Sequence, residues 1–335
     1  MAITDVREDG IRYTLGPRNN LGAWRGSGLL VRVHEDARSC VAYIGHESAG
    51  DVIPEGTAFS IAHEGYPYLV TAGHVARQIE NGPFGIKFAS TDWYSGKSFI
   101  ERGKWTYHPD RSVDVAVFPG SPENCPTFKN IMDDVFILDE DIGPDGVGVG
   151  DLVHTVGMWK LLESEEKHVP LVHTGHIAMV PGDVKIPVEP IGGGKTYEVD
   201  AYLVEAQGLK GLSGAPVFAR QTVTMSKNPR AYSYGSLKLL GVWQASWEAL
   251  ASNARQEQVG SDRPITVPLG MGVVIPAQRI LEVLQLPEMV KIRSDATNKK
   301  KSRVAATESA APPELKPIVE TILKAPPKPK GGGDA

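Results

Sequence analysis

Short apolar runs of strand length recur along this chain, separated by turns rich in Gly, Pro, Asn and Asp, and that rhythm points to a β-rich fold. A first set occupies 29–33, 41–45, 57–62, 68–71, 85–89, 105–107 and 114–118. A second set occupies 151–157, 171–179, 197–206, 215–219, 237–245 and 271–275. Two sets of about six strands predict an all-β fold of two packed six-stranded antiparallel β-barrels. Two short helices are expected in the body. One follows the strand end at His74 and runs to Ile79, and the other covers 276–284, where Ile280, Leu281, Val283 and Leu284 line one face. In the tail, 317–325 can form a brief helix on a partner.

Composition sets the boundaries. The chain has 335 residues and a net charge of −5, with no basic bias that would suit nucleic acid. The first 27 residues are polar and read as an arm, and 28–286 as the globular body, with barrel one near 28–121 and barrel two near 146–276. The stretch 122–145, rich in Pro, Asp and Asn, reads as the crossover between them. From 287 to 335 the chain is rich in Lys, Pro and Ala and is expected to be a disordered tail, able to recruit a partner. Neither a signal peptide nor a membrane-spanning apolar stretch is visible, so a cytoplasmic location without membrane contact is expected. Cys40 and Cys125 form no disulfide framework and have no nucleophile motif around them.

Three positions carry chemistry. Gly211-Leu212-Ser213-Gly214-Ala215-Pro216 places a serine in a glycine-flanked turn, and Thr71-Ala72-Gly73-His74 places a histidine directly after an apolar strand. Asp114 opens the run Asp114-Val115-Ala116-Val117 between them, with Asp110 as its nearest competitor. A serine hydroxyl needs a base within hydrogen-bond reach, and that base needs a carboxylate on its other ring nitrogen. The N–H groups of Gly211 and Ser213 are placed to hold an oxyanion. His63, His108, His154, His173 and His176 lack metal-ligand spacing, and His173 and His176, near strand ends, read as structural. Gly192-Gly193-Gly194-Lys195-Thr196 lacks the full phosphate-loop spacing and reads as a hairpin loop. No metal or organic cofactor is expected.

These motifs resemble those of the chymotrypsin/trypsin-like serine proteases, over about residues 28 to 285. The likeness lies in Thr71-Ala72-Gly73-His74, the Asp-Val-Ala-Val run at Asp114 and the Gly-x-Ser-Gly-x-Pro pattern at Ser213. It also includes Gly56-Thr57-Ala58-Phe59, Leu239-Leu240-Gly241-Val242-Trp243 and Gly270-Met271-Gly272-Val273-Val274-Ile275-Pro276. The resemblance implies a serine endopeptidase acting on protein or peptide substrates through His74, Asp114 and Ser213, with Gly211 and Ser213 as the oxyanion hole. It also implies a primary pocket with Gln207 at its base and Gln244, Ala245, Ser246 and Trp247 in its walls. With no aspartate at that base, a small or medium, weakly polar side chain is expected there. Leu212 and Ala215 depart from the family pattern. The alternative is a catalytically silent protease-like domain that binds a peptide or protein.

Overall fold

In the computed structural model, the described residues are 4–6, 12–14, 33, 35–48, 51–88, 98–120, 128–143, 145–159, 168–188, 196–224, 232–250 and 266–310. They fall in two units, Met1–Leu284 and Gln285–Ala335. Apart from Val33, the strand expected at 29–33 lies outside the described residues, as do Cys125, the loop 189–195 and the helix expected at 317–325.

The first unit begins with β1 (Thr4–Val6) and β2 (Arg12–Thr14), which pair antiparallel, and a short helix α1 (Glu35–Arg38). The first lobe follows. Its elements are β3 (Val41–Ser48), β4 (Asp51–His63), β5 (Tyr66–Ala72), helix α2 (Gly73–Ile79), β6 (Phe84–Phe88), β7 (Ser98–Glu101), β8 (Thr106–Tyr107), β9 (Val115–Pro119) and β10 (Ile131–Met132). The sheet order is β7-β6-β3-β4-β5-β9-β8, and β10 adds to β4 in parallel. The β4–β5 hairpin closes on Glu64 and Gly65 with φ of 50° and 75°, the left-handed pair a type I′ turn requires. Leu69, Phe84, Ile86, Trp105 and Phe118 pack inside the lobe. Phe84, Trp105 and Phe118 form a mutual aromatic contact with centroids 5.0–5.4 Å apart.

The second lobe contains β11 (Leu152–Gly157), β12 (Leu171–Met179), β13 (Ile186–Val188), β14 (Tyr197–Val199), β15 (Tyr202–Glu205), β16 (Pro216–Thr224), β17 (Tyr232–Leu250), β18 (Thr266–Pro276) and helix α3 (Gln278–Leu284). Six of these strands close into a barrel in the order β11-β12-β15-β18-β17-β16. Val153, Tyr202, Val204, Leu212 and Trp243 fill it. Burial of side chains of this size contributes about 1.5–3 kcal/mol each.

The fold is mostly β: a closed six-stranded barrel beside a half-barrel, with few helices, consistent with the two-barrel arrangement expected from the sequence. Three details differ from the reading of the sequence. Among the described residues the first lobe is open, because β7 and β8 end the sheet without pairing with each other. The run 197–206 is two strands: β14 leaves the barrel to pair with β13, and β15 returns to it. The tail expected to be disordered from 287 begins with helix α4 (Pro287–Ala310), a polar segment of good helix formers with Pro at its first position.

The C-terminal helix of the first unit is tied to the loop that leads to Asp114. His108 Nε2 lies 2.7 Å from Glu282 Oε2, Glu282 also holds Arg279, and Arg279 reaches Asp139 at 3.4 Å. On the other lobe, His154 is 1 % exposed. Its Nδ1 lies 3.1 Å from Thr174 Oγ1, while Nε2 has no partner among the described residues. Burial, and secondarily the charge of Arg220, push this imidazole down to about 4. The unfolded chain therefore binds the proton first, and stability falls as pH drops from about 6.5 to about 4, by up to about 3 kcal/mol. In urea unfolding, His154→Gln is expected to lose less stability between pH 7 and pH 4.5 than the wild type. Equal losses would refute this assignment.

Candidate active site

His74 stands in the first turn of α2, where β5 gives way to helix. Asp114 immediately precedes β9, which pairs with β5 so that Val115 faces Ala72. The antiparallel register therefore brings the aspartate to the histidine. His74 Nδ1 lies 2.5 Å from Asp114 Oδ2, and the His74 backbone N–H donates to Oδ1 at 2.7 Å. Gly73 N–H also donates to the Asp114 carbonyl at 3.0 Å. Asp114 is 3 % exposed, so the carboxylate is held almost entirely by protein donors. Asp110 is not a partner of His74: its Oδ1 instead accepts from Ser112 N and Oγ at 2.9 and 2.8 Å in an exposed turn.

Ser213 is the second residue of the second of two successive turns. Leu212 N–H donates to Leu209 O, and Ala215 N–H donates to Leu212 O. Gly211 and Gly214 occupy the third position of these turns with φ of 100° and 86°, as type II turns require. The central amides of such turns have no acceptor within the turn. Gly214 N–H finds the Trp243 carbonyl at 2.8 Å. Among the described residues, Gly211 N–H and Ser213 N–H have no acceptor.

Thr57, fully buried on β4, anchors this loop to the first lobe. Its N–H donates to Ser213 O at 2.9 Å and its Oγ1 donates to Gly211 O at 2.7 Å. The same Oγ1 accepts from Met158 N at 3.0 Å, and the Thr57 carbonyl accepts from Thr71 Oγ1 at 2.7 Å. The serine turn is thus docked against the chain segment that carries His74. A methyl placed on Gly214 would come within 2.9 Å of Ala72 N, and one on Gly56 would meet both Ser213 O and Val75 at 2.8–2.9 Å. Ser213 Oγ donates to the Gln244 carbonyl at 3.4 Å, a long contact. No hydrogen bond of His74 Nε2 is found among the described residues.

The two departures from the family pattern have a packing reason. Leu212 and Ala215 are fully buried, and both close on Gly157 of β11, where an added methyl would lie 2.5 Å from Leu212 Cδ2 and 3.0 Å from Ala215 Cβ. The residues flanking the serine are therefore part of the second-lobe core.

Of the expected pocket residues, Gln207 is exposed, whereas Ala245 and Ser246 are half-buried on β17. Gln244 is buried, donates from Nε2 to Tyr197 Oη at 3.0 Å and leaves Oε1 without a partner among the described residues. Trp243, whose carbonyl accepts from Gly214 N–H, is 1 % exposed and belongs to the second-lobe core. A methyl on Gly272 would lie 2.1 Å from its Cη2, and one on Gly208 3.4 Å from its Cζ2 and 1.4 Å from Ser246 Oγ. Ser246 therefore packs on Gly208, and the indole packs on Gly272. Burial, then the charge of Asp114, hold the Tyr197 phenol above its ordinary range, so it remains protonated. Thr57, Arg77 and Tyr197 were given no role by the sequence. Only Thr57 stood in a recognised motif, and no spacing rule links any of them to Ser213.

No family model and no curated protein matches this sequence. Solved structures do. The Rv3671c protease from M. tuberculosis, in its active form, aligns over 75% of this chain and 81% of its own, at 17% identity and a TM-score of 0.42. A glutamic acid specific serine protease, described as using a histidine triad in substrate binding, aligns over 68% of this chain and 89% of its own, at 16% identity and a TM-score of 0.33. Both are proteases. At these scores neither likeness bears on function, and the fold stands on the strand topology itself. Among the described residues, no group of three or more His, Cys, Asp and Glu is placed to hold a metal, and no helix is long and apolar enough to cross a membrane.

Proposed function

We propose that this chain is a serine endopeptidase in which Ser213 is the nucleophile, His74 the general base and Asp114 the group that orients it. The observation that carries this reading is the 2.5 Å contact between His74 Nδ1 and Asp114 Oδ2, with the Ser213 turn bonded through Thr57 to the adjoining strand. The carboxylate holds the imidazole in the tautomer whose Nε2 is unprotonated. Ser213 Oγ leaves the weak bond to Gln244 O, turns to Nε2 and attacks the scissile carbonyl as His74 takes its proton. His74 returns that proton to the leaving amine, and water then hydrolyses the acyl-enzyme by the same route. The free N–H groups of Gly211 and Ser213 receive the oxyanion in each step.

Substrate preference follows from Trp243. The bulk of the indole, packed on Gly272 and reaching toward Gly208, leaves room on the acyl side of the scissile bond for a small residue: glycine, alanine or serine. In a peptide library, the wild type is expected to cleave after these residues at least about tenfold faster than after Phe or Lys. Ser213→Ala is expected to abolish cleavage. Full cleavage by Ser213→Ala would overturn the nucleophile assignment, and efficient cleavage after Phe or Lys would overturn the preference.

A further inference from the structure

Asp114 has a third partner that the reaction outlined above does not use. Arg77 lies on α2, three residues after His74, and its Nη1 stands 3.4 Å from Asp114 Oδ1, the oxygen that also accepts from His74 N–H. The guanidinium carbon sits 5.0 Å from the centroid of the Tyr107 ring on β8. The Tyr107 hydroxyl is bonded to Glu80, the residue that ends α2. Burial, and next its bond to Glu80, keep the Tyr107 phenol protonated as a donor. The cation is therefore held between an aromatic face and the carboxylate.

Gly73 provides the room for this arrangement. A methyl on Gly73 would lie 2.8 Å from Asp114 Oδ1 and 3.4 Å from Arg77 Nη1. Any side chain at 73 would press on the oxygen that Arg77 and the His74 amide share.

We infer that Arg77 is a positioning residue that sets the pH range of the site, an inference that rests on the serine-protease reading. Its hydrogen bond to Oδ1 helps fix the plane of the carboxylate, leaving Oδ2 aimed at His74 Nδ1. Its charge offsets part of the charge on Asp114, so a second cation on the imidazole is less favoured than beside an unpaired carboxylate. Among the described residues, Arg77 and Glu80 from α2, Tyr107 from β8, Tyr197 from β14 and His108, whose N–H bonds Val115 O beside Asp114, are charged or titratable groups near this pair. Arg77 is the permanent cation among them. Its side chain is 47 % exposed, so its influence is moderate and screened by salt.

The test is the rate of labelling by a small fluorophosphonate as a function of pH, for the wild type, Arg77→Met and Arg77→Lys, with Ser213→Ala as control. This probe needs no knowledge of the natural substrate. The acid limb of the profile is expected to move up by about half a unit to one unit in Arg77→Met, and to return most of the way in Arg77→Lys. High salt is expected to move the wild type toward Arg77→Met and leave that variant in place. An acid limb in Arg77→Met that coincides with the wild type overturns the role of Arg77 and leaves the protease reading intact. A wild type that the probe does not label at any pH overturns both.

Discussion

Replacing Asp114 with Asn is expected to leave the fold intact and to reduce turnover by about 10⁴-fold, the loss the same change causes in the well-studied trypsin-like triad. The local network dictates how the amide must sit. Oδ1 accepts from the His74 N–H and from Arg77, two donors that an NH₂ group cannot face. The amide oxygen takes that place, and the NH₂ group is turned toward His74 Nδ1. The ring nitrogen must then accept, its proton moves to Nε2, and Nε2 can no longer take the proton of Ser213. Circular dichroism checks the fold, and the labelling rate checks the chemistry. A variant retaining more than about a tenth of the wild-type rate would break the link between Asp114 and the histidine tautomer.

Gly214→Ala is expected to be the most damaging single methyl in the serine loop. Its φ of 86° is left-handed, which alone costs a non-glycine residue about 1–2 kcal/mol. The methyl would also lie 2.2 Å from both Thr57 O and Thr71 Oγ1, which are already bonded to each other. These atoms cannot yield without undoing the latch that holds Ser213 and Gly211 to the first lobe. Together, strain and overlap are expected to destabilise the protein by about 3 kcal/mol or more and to lower the labelling rate at least about 100-fold. Gly150→Ala separates the two effects: its φ is 93°, yet nothing lies within 4 Å of the added methyl. It is expected to cost only the strain. Equal shifts in melting temperature for the two variants would show that the packing around Gly214 is not what matters.

Local patterns made most of this legible in the sequence. A histidine after an apolar strand, an aspartate before another and a serine between glycines are signals confined to a few residues each, and so is the alternation that marks the strands. The reasons those residues meet are not local. Thr57 joins the serine loop to the first lobe from a position more than 150 residues away in the chain, and its role depends on the pairing of β4 with β5. Arg77 reads as an ordinary polar helix residue until Asp114 is placed beside it. Trp243 reads as an apolar strand residue until Gly272 is placed against its ring. The open edge of the first lobe and the helix at 287–310 were missed for different reasons. Strand runs do not say which edges pair, and a polar composition rich in Lys and Ala suits a solvated helix as well as an unstructured tail.

The most direct measurement is the intact mass of the protein after reaction with a fluorophosphonate, followed by peptide mapping of the adduct. The wild type is expected to gain one adduct, located on Ser213, and Ser213→Ala and His74→Ala are expected to gain none under the same conditions. A wild type that stays unmodified, or an adduct that persists in Ser213→Ala, would contradict the account.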